Sequence, residues 1–314
     1  MDKIKIVYLT GFWYSGATIL GRSLKTSEDV IYVGEIRDFW VKGLKNDEKC
    51  SCGERFSTCD FWQRVKDEYL KSFPGESIEE VTEEMKKFET WTNYFKLKKY
   101  LKNKGDKSYR QFLENYLKHT EKLYEIIAKE SGKNIIVDTS RLAVRLLAIS
   151  LSEKLNVFPI YVIRDPRGVV NSLFKKEIRD YGKRKNSFFS HTLKWIVKNF
   201  LTLNAMKNIK VNKKIYLWYK FFTKNPAEVL SSLERVINCK IDYTVEDGIV
   251  SLNLKAGHVF TGNRSRFNTG KISIREDTKW RNELKWVYKI SISVFSLLMF
   301  KYVLARYRLK TWNI

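Results

Sequence analysis

The sequence predicts an α/β fold, a P-loop-type parallel β-sheet flanked by helices, with a helical insertion. Three observations predict it: short β-branched apolar runs recur along the chain, a helical pattern follows nearly every one, and a glycine-bounded loop joins the first run to the first helix. Strands that alternate with helices pair in parallel, because each crossover carries a helix back over the sheet. Ile4 to Thr10 (IKIVYLT) is the first strand; it ends at Gly11, and Thr18 to Leu24 reads as a helix. Val30 to Val33 is the second strand and runs into Gly34-Glu35. Ile135 to Val137 leads into Asp138-Thr139-Ser140, and an apolar helix with Leu142, Val144, Leu146 and Leu147 follows. Val157 to Ile163 (VFPIYVI) is the next strand, and Arg164-Asp165-Pro166 opens a helix with proline in its first turn, where the missing N–H does no harm. Ile215 to Trp218 adds one more strand, and Pro226 to Val236 the helix after it.

Residues from about 60 to 131 show helical spacing, heavy charge and a single proline, Pro74, and read as a helical insertion covering one face of the sheet. Thr278 to about Arg308 reads as a further helix that closes the core, with Trp280, Leu284, Val287, Val294, Leu297 and Leu298 as its apolar side. No internal repeat is visible, so a solenoid is excluded and 1–314 is read as one domain.

At 44% hydrophobic and 14% aromatic residues the chain can bury a large core, which excludes wholesale disorder. Its 59 Lys+Arg against 35 Asp+Glu give a net charge of +24. An excess of that size attracts nucleic acid, membrane surfaces and phosphate- or sulfate-bearing ligands alike, so motifs must choose among them. The longest uncharged apolar run, Ile290 to Phe300, is short of a bilayer span, and Met1-Asp2-Lys3 runs directly into a strand. Neither a membrane span nor a secretory leader is expected, and a reducing, cytoplasmic setting follows. The basic C-terminal helix leaves peripheral membrane contact open.

Gly11-Phe12-Trp13-Tyr14-Ser15-Gly16-Ala17-Thr18 lies between a strand and a helix, with its glycines five apart and Thr18 two after the second. This is the frame of a P-loop, whose backbone N–H groups converge on an anionic oxygen at a helix N-terminus. A nucleoside triphosphatase carries lysine after the second glycine; here it is Ala17, so the loop suits a donor with a shorter 5′ group. Arg164 ends a strand and Ser172 follows eight residues on, almost two turns into the next helix, where both could share one anion. Guanidinium and hydroxyl together supply charge and directional donors.

On these residues the chain resembles the 3′-phosphoadenosine-5′-phosphosulfate-dependent sulfotransferases, in particular the bacterial and archaeal branch related to the tyrosylprotein and carbohydrate enzymes. The resemblance covers most of the chain and rests on an ordered set: YSGATIL, VGEIRDFW, CSCG with CDFW after it, IIVDTSR, VIRDPRGVVNS, YKFFTKNPAEVLSSL, and GNRSRF with DTKW behind it. It implies that Gly11 and Tyr14 through Thr18 hold the 5′-phosphosulfate and that Arg164 and Ser172 hold the 3′-phosphate, completed by Arg264 or Arg266. Relatives that use a carboxylate base keep it in a Gly-Glu pair after the second strand, which implies Glu35 as general base. Where the family usually has Arg or Lys before Ser-Gly, this chain has Tyr14; Arg141 is the expected substitute cation, and Arg22 a weaker one. The implied acceptor is a hydroxyl or amine of a glycan, a lipid or a tyrosine, with no nucleic acid partner and no metal required. The family also places the cysteine segment near the acceptor mouth, where it reads as a lid element anchored by Phe61 and Trp62.

Cys50, Cys52 and Cys59 offer three thiolates, but no fourth Cys or His lies at ligand spacing, so no metal site is expected. His119, His191 and His258 read as surface or supporting residues. Two alternatives stand beside the transferase: a nucleotide kinase on the same loop, against which Ala17 counts, and a non-catalytic polyanion- or nucleotide-binding protein.

Overall fold

A computed structural model describes residues 3–103 and 106–306. Five strands form the central sheet: β1 (Ile4–Thr10), β2 (Val30–Gly34), β3 (Ile135–Asp138), β4 (Leu155–Ile163) and β5 (Ile215–Trp218). Their order is β2-β3-β1-β4-β5 and every pairing is parallel. Each of the strands expected from the apolar runs is present. They read clearly because a parallel sheet covered on both faces needs side chains that are apolar in both directions.

The helices are α1 (Ala17–Leu24), α2 (Asp60–Ser72), α3 (Ile78–Phe88), α4 (Trp91–Asn103), α5 (Lys107–Ser131), α6 (Ala143–Ile149), α7 (Pro166–Tyr181), α8 (Phe188–Asn208), α9 (Tyr219–Lys224), α10 (Pro226–Ile237), α11 (Trp280–Glu283) and α12 (Trp286–Arg306). Alternation along β1 sorts them into two layers. Ile6 and Tyr8 face a core built with α2 to α6 and α8, so the insertion does cover one face. Val7 and Leu9 face the other, built with α1 and α10. That second core also takes in an antiparallel sheet that the sequence pattern did not single out: β6 (Thr244–Glu246), β7 (Ile249–Leu254) and β8 (Gly270–Ser273), in the order β6-β7-β8.

A buried ionic network ties the insertion to the sheet. Arg145 of α6 is wholly buried and donates to Asp138 Oδ2 (3.3 Å), Glu89 Oε1 (3.0 Å), Tyr116 OH (2.9 Å) and Tyr124 OH (3.0 Å). Glu89, between α3 and α4, also accepts from Arg37 Nε at 3.1 Å. Every charge in this set has an opposite charge and directional hydrogen bonds, which is the condition for keeping ions in a dry interior.

The C-terminal segment closes the core only in part. Leu284 and Ile292 pack on Val170 and Phe174, whereas Trp286, Val287, Ile290, Val294 and Phe295 are exposed. Phe295 meets Phe189 of α8 at 5.2 Å, and α8 exposes Leu193, Val197 and Phe200 as well. The side chains of Leu297 and Leu298 lie outside the described residues. No helix of the described residues is long and apolar enough to cross a membrane.

Candidate active site

In an open parallel sheet, ligands bind beyond the carboxyl ends of the strands, where neighbouring crossovers diverge. Here β1 is central, with β3 on one side and β4 on the other. The sequence-predicted residues Gly11–Thr18, Glu35, Arg141 and Arg164 all follow the carboxyl ends of β1, β2, β3 and β4. The register places Tyr8 of β1 beside Asp138 of β3, so the loop after β1 and the turn after β3 leave the sheet side by side.

The loop after β1 has the backbone of an anion cradle. Gly11 and Gly16 have φ of 135° and 102°, in the region that favours glycine. A Cβ on Gly11 would lie 2.2 Å from the Val162 carbonyl oxygen, and one on Gly16 would lie 2.3 Å from the Tyr219 ring. Both glycines are therefore demanded by close approach of the loop to β4 and to α9. Gly16 caps α1, whose first intrahelical bond is Leu20 N–H to Gly16 O, so the amides of Ala17, Thr18 and Ile19 stand at the open helix end. Ser15 is buried, and its hydroxyl has no hydrogen-bond partner among the described residues. A buried, unsatisfied hydroxyl beside an open helix N-terminus suits an anionic oxygen, which would satisfy it.

Tyr14 takes a left-handed backbone, φ 61°, in the middle of this loop. Burial pushes its phenol above the ordinary range, and two cations, Arg179 and Arg141, act against that push. Arg179, in the last turn of α7, faces the Tyr14 hydroxyl and was not foreseen from the sequence. Arg179 is itself paired with Asp180 at 2.9 Å, so its charge on the phenol is partly offset; the sequence assigned the cation's role to Arg141, with Arg22 the weaker candidate. Arg22, the weaker candidate, is committed elsewhere: its guanidinium donates to the Asn268 carbonyl.

Arg141 has φ 60° and a partly buried side chain whose buried Nε lacks a partner among the described residues. Its guanidinium forms an ion pair with Glu35 Oε1. The two side chains come together because β2 and β3 are neighbours and Thr139 N donates to Gly34 O at 2.8 Å. Oε2 of Glu35 carries no hydrogen bond among the described residues. Tyr8 OH fixes the turn after β3 by accepting from Leu142 N (2.8 Å) and donating to Leu142 O (3.0 Å).

Arg164 is buried at the end of β4 and donates to the Tyr14 carbonyl at 3.0 Å and to Asp277 Oδ2 at 2.9 Å, while its guanidinium lies 4.8 Å from the Tyr219 ring. It thus joins the β1 loop to the segment before α11. Asp277 is a second residue the sequence did not single out, and no local pattern would have found it, because it is 113 residues from Arg164. Ser172 is half-buried on α7, with its hydroxyl donating to Gly168 O at 2.9 Å.

Arg264 and Arg266 lie in the connection from β7 to β8. Arg266 donates to Gly262 O (3.1 Å) and Lys49 O (3.4 Å), and burial lowers its pKa; Arg264 is exposed and acts on Asp180 of α7. No hydrogen bond joins either arginine to Arg164 or Ser172 among the described residues. The connection still reaches the Glu35 side: a Cβ on Gly262 would lie 3.7 Å from Glu35 Oε1, and Thr261 Oγ1 donates to Asp38 Oδ2 at 2.7 Å.

Two of the three histidines are buried and the third is partly so. His119 and His191 are buried, against Tyr69 OH (2.8 Å) and Glu177 Oε1 (3.2 Å). His258 lies 3.3 Å from Cys59 Sγ, which corrects the expectation that the three clustered thiols lack a fourth potential ligand. All four cysteines are free thiols, and Phe61 and Trp62 are buried beside the cluster.

No protein-family model matches the chain, and no curated protein matches it in sequence. Among solved structures, the sulfotransferase domain from the curacin biosynthetic pathway is similar over 95% of this chain and 98% of its own, at 12% identity and a TM-score of 0.51. The sulfotransferase domain from the Synechococcus PCC 7002 olefin synthase aligns over 93% of this chain and 94% of its own, at 13% identity and a TM-score of 0.47. At such identity the first likeness is one of fold.

Proposed function

We propose that the protein is a sulfotransferase that moves the sulfuryl group of 3′-phosphoadenosine-5′-phosphosulfate to a hydroxyl or amine of a glycan, lipid or tyrosine acceptor. The observation that carries this reading is the cradle after β1: an open helix N-terminus, a lysine-free loop and the orphaned Ser15 hydroxyl, with the Glu35–Arg141 pair beside it. The loop amides, Ser15 and Thr18 would hold the 5′-phosphosulfate. Arg164, exchanging Asp277 for ligand, would hold the 3′-phosphate with Ser172 and the arginine-bearing β7–β8 connection.

Glu35 Oε2 would accept the acceptor proton while Oε1 stays on Arg141, which orients the carboxylate. As the acceptor oxygen bonds to sulfur, the bond from sulfur to the 5′-phosphate oxygen breaks and its electron pair leaves on the phosphate. The amides at the start of α1 and the cations around Tyr14 offset the charge that develops there. The transfer needs no divalent metal in this scheme, because a monoanionic sulfuryl group requires less neutralisation than a γ-phosphate; magnesium-dependent turnover would count against it. A kinase reading lacks the lysine that would reach a triphosphate, since Ala17 is buried in its place.

The test is calorimetry with adenosine 3′,5′-bisphosphate on wild type and Arg164→Ala, with ATP as control. Binding of the bisphosphate, weakened in the variant and absent for ATP, is expected; no binding would overturn the reading in favour of a polyanion-binding protein. Glu35→Gln is expected to lower kcat by about 10²- to 10⁴-fold with bisphosphate affinity retained, the range for loss of a general base. Equal loss of both would make Glu35 structural.

A further inference from the structure

Four side chains gather outside the proposed donor site. The ligand atoms of Cys50, Cys52, Cys59 and His258 all lie within 4.8 Å of one another. Cys52 Sγ is 3.6 Å from Cys59 Sγ, and Cys59 Sγ is 3.3 Å from His258 Nδ1. A tetrahedral zinc with Zn–S of about 2.3 Å and Zn–N of about 2.05 Å requires S···S edges of about 3.8 Å and S···N edges of about 3.6 Å. The two observed edges match that tetrahedron within about 0.3 Å, and they are far too long for a disulfide.

The surroundings are those of a metal knuckle. Cys50-Ser51-Cys52 turns back at Gly53, with φ 109°, and the turn closes through Gly53 N to Cys50 O (3.1 Å) and Cys50 N to Glu54 O (2.7 Å). The His258 ring stacks on Phe61 at 4.9 Å, and its carbonyl accepts from Trp62 Nε1 at 3.0 Å, so ring and backbone are both fixed. Cys50 and Cys59 are buried while Cys52 and His258 are half-exposed, which leaves a way in for an ion.

We propose that Cys50, Cys52, Cys59 and His258 bind one Zn²⁺ in a closed, structural Cys₃His site. Three thiolates and one imidazole in a tetrahedron favour zinc over the hard cations, and four protein ligands leave no open position for catalysis. Binding releases the thiol protons to solvent. The site's function is to staple. It joins the segment after β2 to the β7–β8 connection, 199 residues apart between Cys59 and His258. Ser51 reinforces the joint, donating to Gly257 O at 2.8 Å and accepting from Val259 N at 2.9 Å. Arg264, Arg266 and Gly262 follow directly, so the ion sets where that connection lies against Glu35.

The test uses the full chain, made in zinc-supplemented medium and purified under reducing conditions. Elemental analysis is expected to find about one zinc per chain, falling below about a tenth in Cys52→Ser and in His258→Ala. Because those variants could fail to fold, wild type is also stripped and reloaded with cobalt, which should give the intense thiolate-to-metal charge-transfer band of a tetrahedral site. The cobalt spectrum does not depend on nucleotide binding, so its outcome is separate from that of the sulfotransferase reading. Zinc-free wild type with no cobalt band, iron in place of zinc, or a Cys52–Cys59 disulfide in protein kept reduced throughout would each overturn the proposal.

Discussion

Replacing Ser15 by alanine should move stability and ligand affinity in opposite directions. In the free protein the Ser15 hydroxyl is buried without a partner among the described residues, and a group in that state costs about 1–3 kcal/mol of desolvation. Alanine removes the cost and leaves only a small void, so Ser15→Ala is expected to be more stable by about 1 kcal/mol, raising Tm by about 2 °C. With an anion in the cradle the sign reverses. A hydrogen bond to a charged oxygen is worth about 1.5–3 kcal/mol, so the variant should bind bisphosphate about 10- to 100-fold more weakly. Urea melts of the free protein give the first quantity and calorimetry the second. Thermal melts with and without the bisphosphate should cross: the variant melts higher alone and lower when saturated. A variant that is less stable alone and binds as tightly as wild type would refute the reasoning, because the hydroxyl would then serve the fold and not a ligand.

Arg145→Met should cost about 3–5 kcal/mol, since it leaves Asp138 buried without its cation and Glu89 with Arg37 alone; a loss below about 1 kcal/mol in urea denaturation would mean water reaches the network. Glu177 answers to pH. Burial pushes its carboxyl up, but donation from the Asn186 side chain and from the amides of Asn186 and Lys185 outweighs this and brings it down to about 2. A carboxylate held below its unfolded value contributes stability that is complete above about pH 4.3 and is lost as pH falls toward about 2. The stability difference between wild type and Glu177→Gln should therefore be constant at neutral pH and shrink through that window; a difference independent of pH would contradict the assignment. The exposed apolar strip of α8 and α12 lies on helices that also carry Lys194, Lys198 and Lys289, so anionic vesicles should retain the protein, and Phe189→Ser with Phe295→Ser, which leaves the charge unchanged, should weaken that retention. Equal retention of wild type and the double variant would exclude that surface as a membrane contact.

The central sheet was legible because its strands are apolar on both faces and each is punctuated by the residues that follow it. Gly11, Glu35, Arg141 and Arg164 could be placed in sequence for the same reason, as each sits at a strand's carboxyl end. The small antiparallel sheet was not legible: Thr244, Val245 and Glu246 are all exposed, so β6 carries no burial pattern. Contacts between distant segments were equally hidden. Arg145 reads as one more charge in an amphipathic helix, and only the fold brings Glu89 and Asp138 to it. His258 stands alone in sequence, although Gly53 directly after Cys52 is the local sign of a knuckle in search of further ligands. Asp277 and Arg179 had no sign at all, since one acts across 113 residues and the other from the far end of α7.

The buried network around Arg145 also limits how this protein can be remade. Glu89, Tyr116 and Tyr124 belong to the insertion, while Asp138 ends β3 and accepts from the Ser140 amide at 2.7 Å, one residue before Arg141. The insertion is thus not a cassette. A helical segment transplanted from another protein would arrive without matching carboxylate and phenols, and would strand Arg145 beneath the very turn that aims Arg141 at Glu35. Exchange of the insertion in this architecture should require Glu89, Tyr116, Tyr124 and Arg145 to travel together.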